Sequence, residues 1–153
     1  GSNAGSDYAI NRYTDSGTYV DTPFSINRQD GIIYVLNGML VYGSGPIGYM
    51  SGSGGAITQS TSRTTGVTLN KTNGAITLFT AAGSATATTF RVTNSTVAAT
   101  DVVQLSVKSS TNVYLAFVTA VAAGSFDITF FTTGGTASDA PVINFAVIKA
   151  AAS

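Results

Sequence analysis

The side chains able to do chemistry in this sequence are few, and their types narrow the chemistry at once. His, Cys, Glu and Trp are all missing, which leaves seven Asp, seven Lys or Arg and seven Tyr among 153 residues. General acid–base catalysis near neutral pH wants a His or a carboxylate of shifted pKa, and a nucleophilic Ser needs an adjacent base. The acids are scattered singly. Asp7, Asp15, Asp21, Asp30 and Asp139 stand in turn-like or terminal contexts, Asp101 opens a strand pattern, and Asp127 takes a solvent-facing alternate position. Asp bonds its own local backbone readily, so each reads as a turn cap or a solvated face. A carboxylate pair assembled by the fold stays open, because spacing alone does not place one. The sequence nominates no catalytic, cofactor-binding or metal-ligating residue and leaves ligand-binding residues unassigned; no cofactor is expected.

Other local patterns are equally weak as chemistry. The Gly clusters "GSGPIG" and "GSGG" lack the Lys-Ser/Thr ending of a phosphate loop and the strand–helix setting of a dinucleotide site, so they read as loops. "NKT" at Asn70 and "NST" at Asn94 fit the glycosylation pattern, but no secretory signal accompanies them, and they read as strand and turn residues. The basic residues Arg12, Arg28, Arg63, Lys71, Arg91, Lys108 and Lys149 stand alone in a chain of zero net charge. Phosphate binding needs a basic patch, so nucleic acid is not an expected partner. Without cysteine there is neither a disulfide nor a thiolate zinc site.

These residues must be held by β structure. Charged residues make up 9% of the chain against about 25% in ordinary proteins, while the hydrophobic share of 44% is normal. The composition therefore specifies a folded domain with a neutral Thr, Ser, Asn and Gly surface. No apolar run is long enough to span a bilayer, and no signal-peptide pattern opens the sequence. Candidate strands are Ala56–Ser60, Gly66–Lys71, Ala75–Thr80, Thr86–Asn94, Asp101–Lys108, Val113–Ala120, Ser125–Thr132 and Val142–Lys149. Val103, Leu105 and Val107 share one face of their strand; Phe126, Ile128 and Phe130 share one face of theirs, opposite Asp127 and Thr129. Within Thr64–Phe79, two alternating runs around Asn73-Gly74 read as a β-hairpin. Val113, Leu115 and Phe117 alternate with Tyr114, Ala116 and Val118, so both faces of that strand are apolar and both are expected to be covered. The Ala-Ala-Gly-Ser tetrads at Ala81–Ser84 and Ala122–Ser125 read as a recurrent loop, and neither supports a helix. The expectation is an all-β chain: an antiparallel, jelly-roll-like β-sandwich, since eight strands suit that arrangement.

Six of the seven tyrosines (Tyr8, Tyr13, Tyr19, Tyr34, Tyr42, Tyr49) precede residue 50, whereas Thr and Ala dominate afterwards. A module boundary is accordingly expected near Ser51 to Gly55. Gly1-Ser2-Asn3-Ala4 reads as a cloning remnant, residues 5–52 as a module of small β-hairpins turning at Asp15-Ser16-Gly17, Asp30-Gly31 and Asn37-Gly38, and residues 53–153 as the sandwich. Tyr pairs across strands or, when exposed, stacks on sugars; its strand preference favours the packing role.

The segment "PFSINRQDGIIYVLNG", Pro23 to Gly38, resembles segments of bacteriophage tail-fibre proteins, in which an Asn-Arg pair and a Gly turn precede a short apolar strand. "TQSTSRTTGVTLNKTNGAITL", "VTNSTVAATDVVQLSV" and "APVINFAVIKA" are similar to a C-terminal β-domain of phage virion structural proteins. The resemblance implies a homotrimeric tip of a tail fibre or tail needle, with a jelly-roll knob, located on the virion. It carries no active-site motif, so a non-enzymatic protein is expected. Its implied partners are further copies of itself, other virion proteins and a bacterial surface glycan or lipopolysaccharide. Alternatives are a capsid decoration or another purely structural virion protein, and a glycan-cleaving tip, which the missing Glu and His disfavour.

Overall fold

The computed structural model describes residues 7–36, 38–40 and 47–150, and the chain divides into two compact units, 1–47 and 48–153. The division falls a few residues before the composition change. Tyr42, Asn37 and the expected cloning remnant lie outside the described residues.

The first unit is an antiparallel meander of β1 (Tyr8–Tyr13), β2 (Tyr19–Ile26) and β3 (Ile33–Val35). Both connections occur where the turn residues predict them. Gly17 and Gly31 take φ of 81° and 71°, a left-handed backbone that glycine enters without steric cost. Asp30 Oδ1 accepts the Ile32 amide at 2.9 Å, the local bond expected of a turn aspartate. Asp21 departs from expectation. It lies within β2 and forms an ion pair with Arg12 directly across the ladder, 2.8 Å from Nε to Oδ1.

The second unit holds β4 (Gly55–Thr58), β5 (Val67–Thr68), β6 (Asn73–Thr77), β7 (Ala81–Ala82), β8 (Thr88–Thr93), β9 (Val102–Ser109), β10 (Val113–Ala122), β11 (Ser125–Gly134), β12 (Ser138–Asp139) and β13 (Val142–Ile148). They form two four-stranded sheets, ordered β10-β11-β8-β5 and β4-β6-β13-β9, and a small β12-β7 pair. Alternation decides which side chains face inward. Phe126, Ile128 and Phe130 from β11 and Ile143, Phe145 and Val147 from β13 are all buried, while their alternates point outward. Phe126 and Phe145 meet across the sandwich at 5.3 Å between ring centroids. Each such burial contributes about 1.5–3 kcal/mol. The inward rows hold and seven of the eight expected strands form close to their expected bounds, but Gly66–Lys71 is strand only at Val67–Thr68, which leaves Asn70 outside it; no described residue is helical.

Three expectations fail. The sandwich is not wholly antiparallel: β4 runs parallel to β6, and β5 parallel to β8. The Asn73-Gly74 hairpin does not form either, since β5 and β6 lie in opposite sheets and Asn73-Gly74 is the start of β6. Packing overrides the turn signal here. A Cβ on Gly74 would sit 2.7 Å from Leu69 Cδ2 and 2.8 Å from Gly55 O, so this glycine allows close approach rather than a turn. Residues 69–72 instead carry the chain from one sheet to the other, pinned where buried Asn94 Nδ2 donates to Lys71 O at 2.7 Å. The Ala-Ala-Gly-Ser tetrads also diverge: Ala81-Ala82 is strand β7, whereas Gly124, at φ 79°, turns β10 into β11.

Candidate functional site

The densest cluster of ionisable groups in the second unit joins Arg63, Tyr114 and Asp139. Arg63 leaves the loop after β4 and threads between the β7-β12 pair and the sandwich. Nε donates to Phe79 O at 3.0 Å, Nη1 to Ala82 O and Tyr114 Oη at 3.3 and 2.8 Å, and Nη2 to Ala81 O, Asp139 O and Asp139 Oδ1 at 2.6, 2.7 and 2.9 Å. Its charged plane also lies over the Tyr114 ring, 5.5 Å from the centroid. Asp139 is filled from the other side. Oδ1 accepts Tyr114 Oη at 2.7 Å, and Oδ2 accepts the Thr111 and Asn112 amides at 2.9 and 3.1 Å. The expectation that Asp139 caps an exposed turn is thus corrected: it is buried, because the fold brings donors from the β9–β10 turn, β10 and the distant Arg63 onto it.

Electrostatics follow from that geometry. Burial pushes the Asp139 carboxyl up, but the hydrogen bonds from Tyr114, from the Asn112 and Thr111 amides and from Arg63 together outweigh it and hold the pKa at about 2. Burial, then the carboxylate beside it, pushes the Tyr114 phenol above its ordinary value. The guanidinium forms part of the wall of an open cleft of about 300 Å³ with Phe79, Ser84, Thr86, Thr88 and Phe130. Yet each guanidinium nitrogen already donates within the protein and both Asp139 oxygens are occupied. The cluster can therefore staple the β7-β12 pair to the sandwich, but it has no free donor for an anion and no proton poised for transfer near neutrality.

The other acids are dispersed with separate partners. Asp127 on the outer face of β11 pairs with Arg91 of β8 at 2.8 Å. Asp101 precedes β9, caps the Ala98 amide at 2.8 Å and meets Lys149; that amide first, then the ammonium, lowers its pKa. Asp7 Oδ1 accepts the Arg28 amide at 2.9 Å. No group of metal-ligating side chains occurs among the described residues. Asn94 of the "NST" pattern is fully buried, with Oδ1 accepting both Thr96 N and Thr96 Oγ1, the local turn expected of it. Asn70 accepts the Ser95 amide at 2.8 Å. Sequence reasoning missed the Arg63 cluster, whose one visible sign is a lone Arg within the Ser/Thr run "TQSTSRTTG".

Two sheet faces present apolar rows instead of chemistry. In the meander, register aligns Ile10, Phe24 and Val35 in one row and Tyr8, Ile26 and Ile33 in the next, on the same face. No described residue of this unit is buried, and Tyr8, Ile10 and Ile33 are 61%, 49% and 57% exposed. Tyr13 and Tyr19 pack edge to face at 5.9 Å, as the packing role predicts, but both remain exposed. In the sandwich, Tyr114 is buried whereas Val113, Leu115 and Phe117 lie on the exposed outer face of β10, with Phe131 6.2 Å from Phe117. Among the described residues of the second unit nothing covers this face. Beside it runs an uncharged hydroxyl line, Thr119 to Thr129 to Thr89, at 2.9 and 2.7 Å. Comparison of the chain with protein-family models, with curated proteins and with solved structures returns no match.

Proposed function

We propose that this chain is a non-enzymatic, self-associating β tip of a phage tail fibre or tail needle, built to contact the bacterial surface. The observation that carries the reading is the apolar face of the meander, on which Tyr8, Ile10, Ile33 and Val35 are exposed and Phe24 and Ile26 half-buried within that unit. A three-stranded sheet this short has little core of its own, and an exposed apolar face is the kind of surface that association buries. Copies of the same chain are the occupant we favour, because the six side chains of these rows carry no charge and the Arg12–Asp21 pair at their end is already matched within the chain. Three walls closing around a threefold axis hide all their apolar rows, and the tail-fibre resemblance favours three. The finer jelly-roll reading of the sandwich is supported by its strand order. A jelly roll winds a two-stranded ribbon, so early strands neighbour late ones, as β6 neighbours β13 and β8 neighbours β11, while β4 and β5 depart from that pattern by adding in parallel at the sheet edges.

Attachment through a surface so poor in free charge should rely on neutral hydrogen bonds and apolar contact, which salt does not screen. Retention of the purified chain on bacterial cells at low and at several-fold higher salt tests this, with an unrelated neutral domain as control. Retention that persists in salt is expected; retention that collapses, or none at all with the oligomer intact, contradicts it. A second reading, a decoration or plug that touches only other virion proteins, is favoured by the exposed Val113, Leu115 and Phe117 row, which suits a protein partner.

A further inference from the structure

The Asn73-Gly74 dipeptide that forms no turn still carries a chemistry of its own. Glycine has no Cβ to shield its backbone nitrogen, so in an Asn-Gly sequence that nitrogen is free to attack the asparagine Cγ. The attack needs the asparagine to leave the extended backbone of a strand. Here β6 prevents it. This strand lies between β4 and β13, and the ladder grips the dipeptide from both edges: Ala146 and Phe145 oppose Asn73 and Gly74 on one side, and Gly55 opposes Gly74 on the other. Burial does not supply this protection. Asn73 is only half-buried, it lines an open cleft of about 300 Å³ together with Lys108, and its Nδ2 holds a long 3.4 Å bond to Ser53 Oγ.

We propose that Asn73 is a deamidation site gated by the opening of β6, closed while the sandwich is folded and converted when the strand leaves its ladders. The Gly74 amide nitrogen, having lost its proton to hydroxide, bonds to Asn73 Cγ, and the side-chain nitrogen departs as ammonia from the resulting succinimide ring. Water then adds to one of the two ring carbonyls. Addition at Cγ breaks the new bond and leaves an ordinary aspartyl residue. Addition at the backbone carbonyl breaks the original peptide bond and routes the chain through the side chain, one methylene longer. Water enters, ammonia leaves, and nothing is oxidised or reduced. The two products meet different fates. The aspartyl carboxylate enters the cleft that Lys108 lines, where the opposite charge is at hand. The lengthened backbone cannot keep register with β4 and β13 at once, so for that product opening is irreversible.

The test ages the full chain in mildly alkaline buffer, native and in guanidinium chloride, beside a synthetic peptide of residues 72–78. Mass spectrometry reads the tryptic peptide 72–91, in which Asn73 is the only Asn and no Gln occurs, so the amide-to-acid mass change has one origin. Conversion in the native chain should be about tenfold or more slower than in the short peptide, and in the unfolded chain it should match the peptide. Tyr114→Phe, which loosens the sandwich without touching the dipeptide, should convert faster than the wild type under native conditions. After ageing unfolded and refolding, isoaspartyl chains should be missing from the folded fraction, whereas Asn73→Asp should fold. Native conversion at the peptide's rate, or an unchanged rate in Tyr114→Phe, would overturn the gate. Isoaspartyl chains recovered folded, or an Asn73→Asp chain that does not fold, would overturn the assigned fates of the products.

Discussion

Asp139 is the residue on which the second unit's ionic balance turns. Its carboxyl is held at about 2 against an ordinary 3.8, so the folded state favours the ionised form. The sign follows: this contribution is fully present above about pH 4 and is lost as pH falls towards 2, amounting to about 2 kcal/mol at neutrality. Stability measured by denaturant titration should therefore be level from pH 7 to about 4 and fall below that. Tyr114→Phe removes the strongest hydrogen bond to the carboxylate and should cost about 1.5–3 kcal/mol. It should also move the acid fall to higher pH, whereas a fall at unchanged pH would mean that Tyr114 does not support the charge. None of this was legible in "TASDAP", which reads as a turn. The partners of Asp139 lie 25, 27, 28 and 76 residues away, and only the tertiary fold brings them together.

At the scale of elements, the Asn73-Gly74 dipeptide separates local signal from packing. Placing a methyl at Gly74 forces it against Gly55 O, a backbone atom with little room to yield, so Gly74→Ala should destabilise the sandwich by about 1–3 kcal/mol in chemical unfolding. A neutral effect would show that β4 and β6 can part without loss. The strands themselves were readable, because alternation such as Phe126, Ile128, Phe130 against Asp127, Thr129 fixes both conformation and inward face. Sheet membership was not. Val67 and Ile76 both point at one core, yet from opposite sheets, and a periodicity of two is the same whichever sheet a strand joins. The apolar outer row of β10 was visible in the sequence as well, but not that the described residues of its own unit leave it open.

At the scale of the whole molecule, the proposed association of several copies rests on exposed apolar surface. The first unit buries none of its described residues, and its apolar rows, like those on β10, are the kind of surface that association removes from water. Docking of the meander on its own chain's sandwich would also cover it, and the two outcomes differ in mass. The most direct measurement is sedimentation equilibrium of the full chain at micromolar concentration, beside Ile10→Asp, which sets a charge in the middle of the meander's apolar face. The account predicts a homo-oligomer, three copies in mass, that falls to monomer in Ile10→Asp while the sandwich keeps its β circular dichroism. A wild-type chain that sediments as a strict monomer, or an oligomer indifferent to Ile10→Asp, would contradict it.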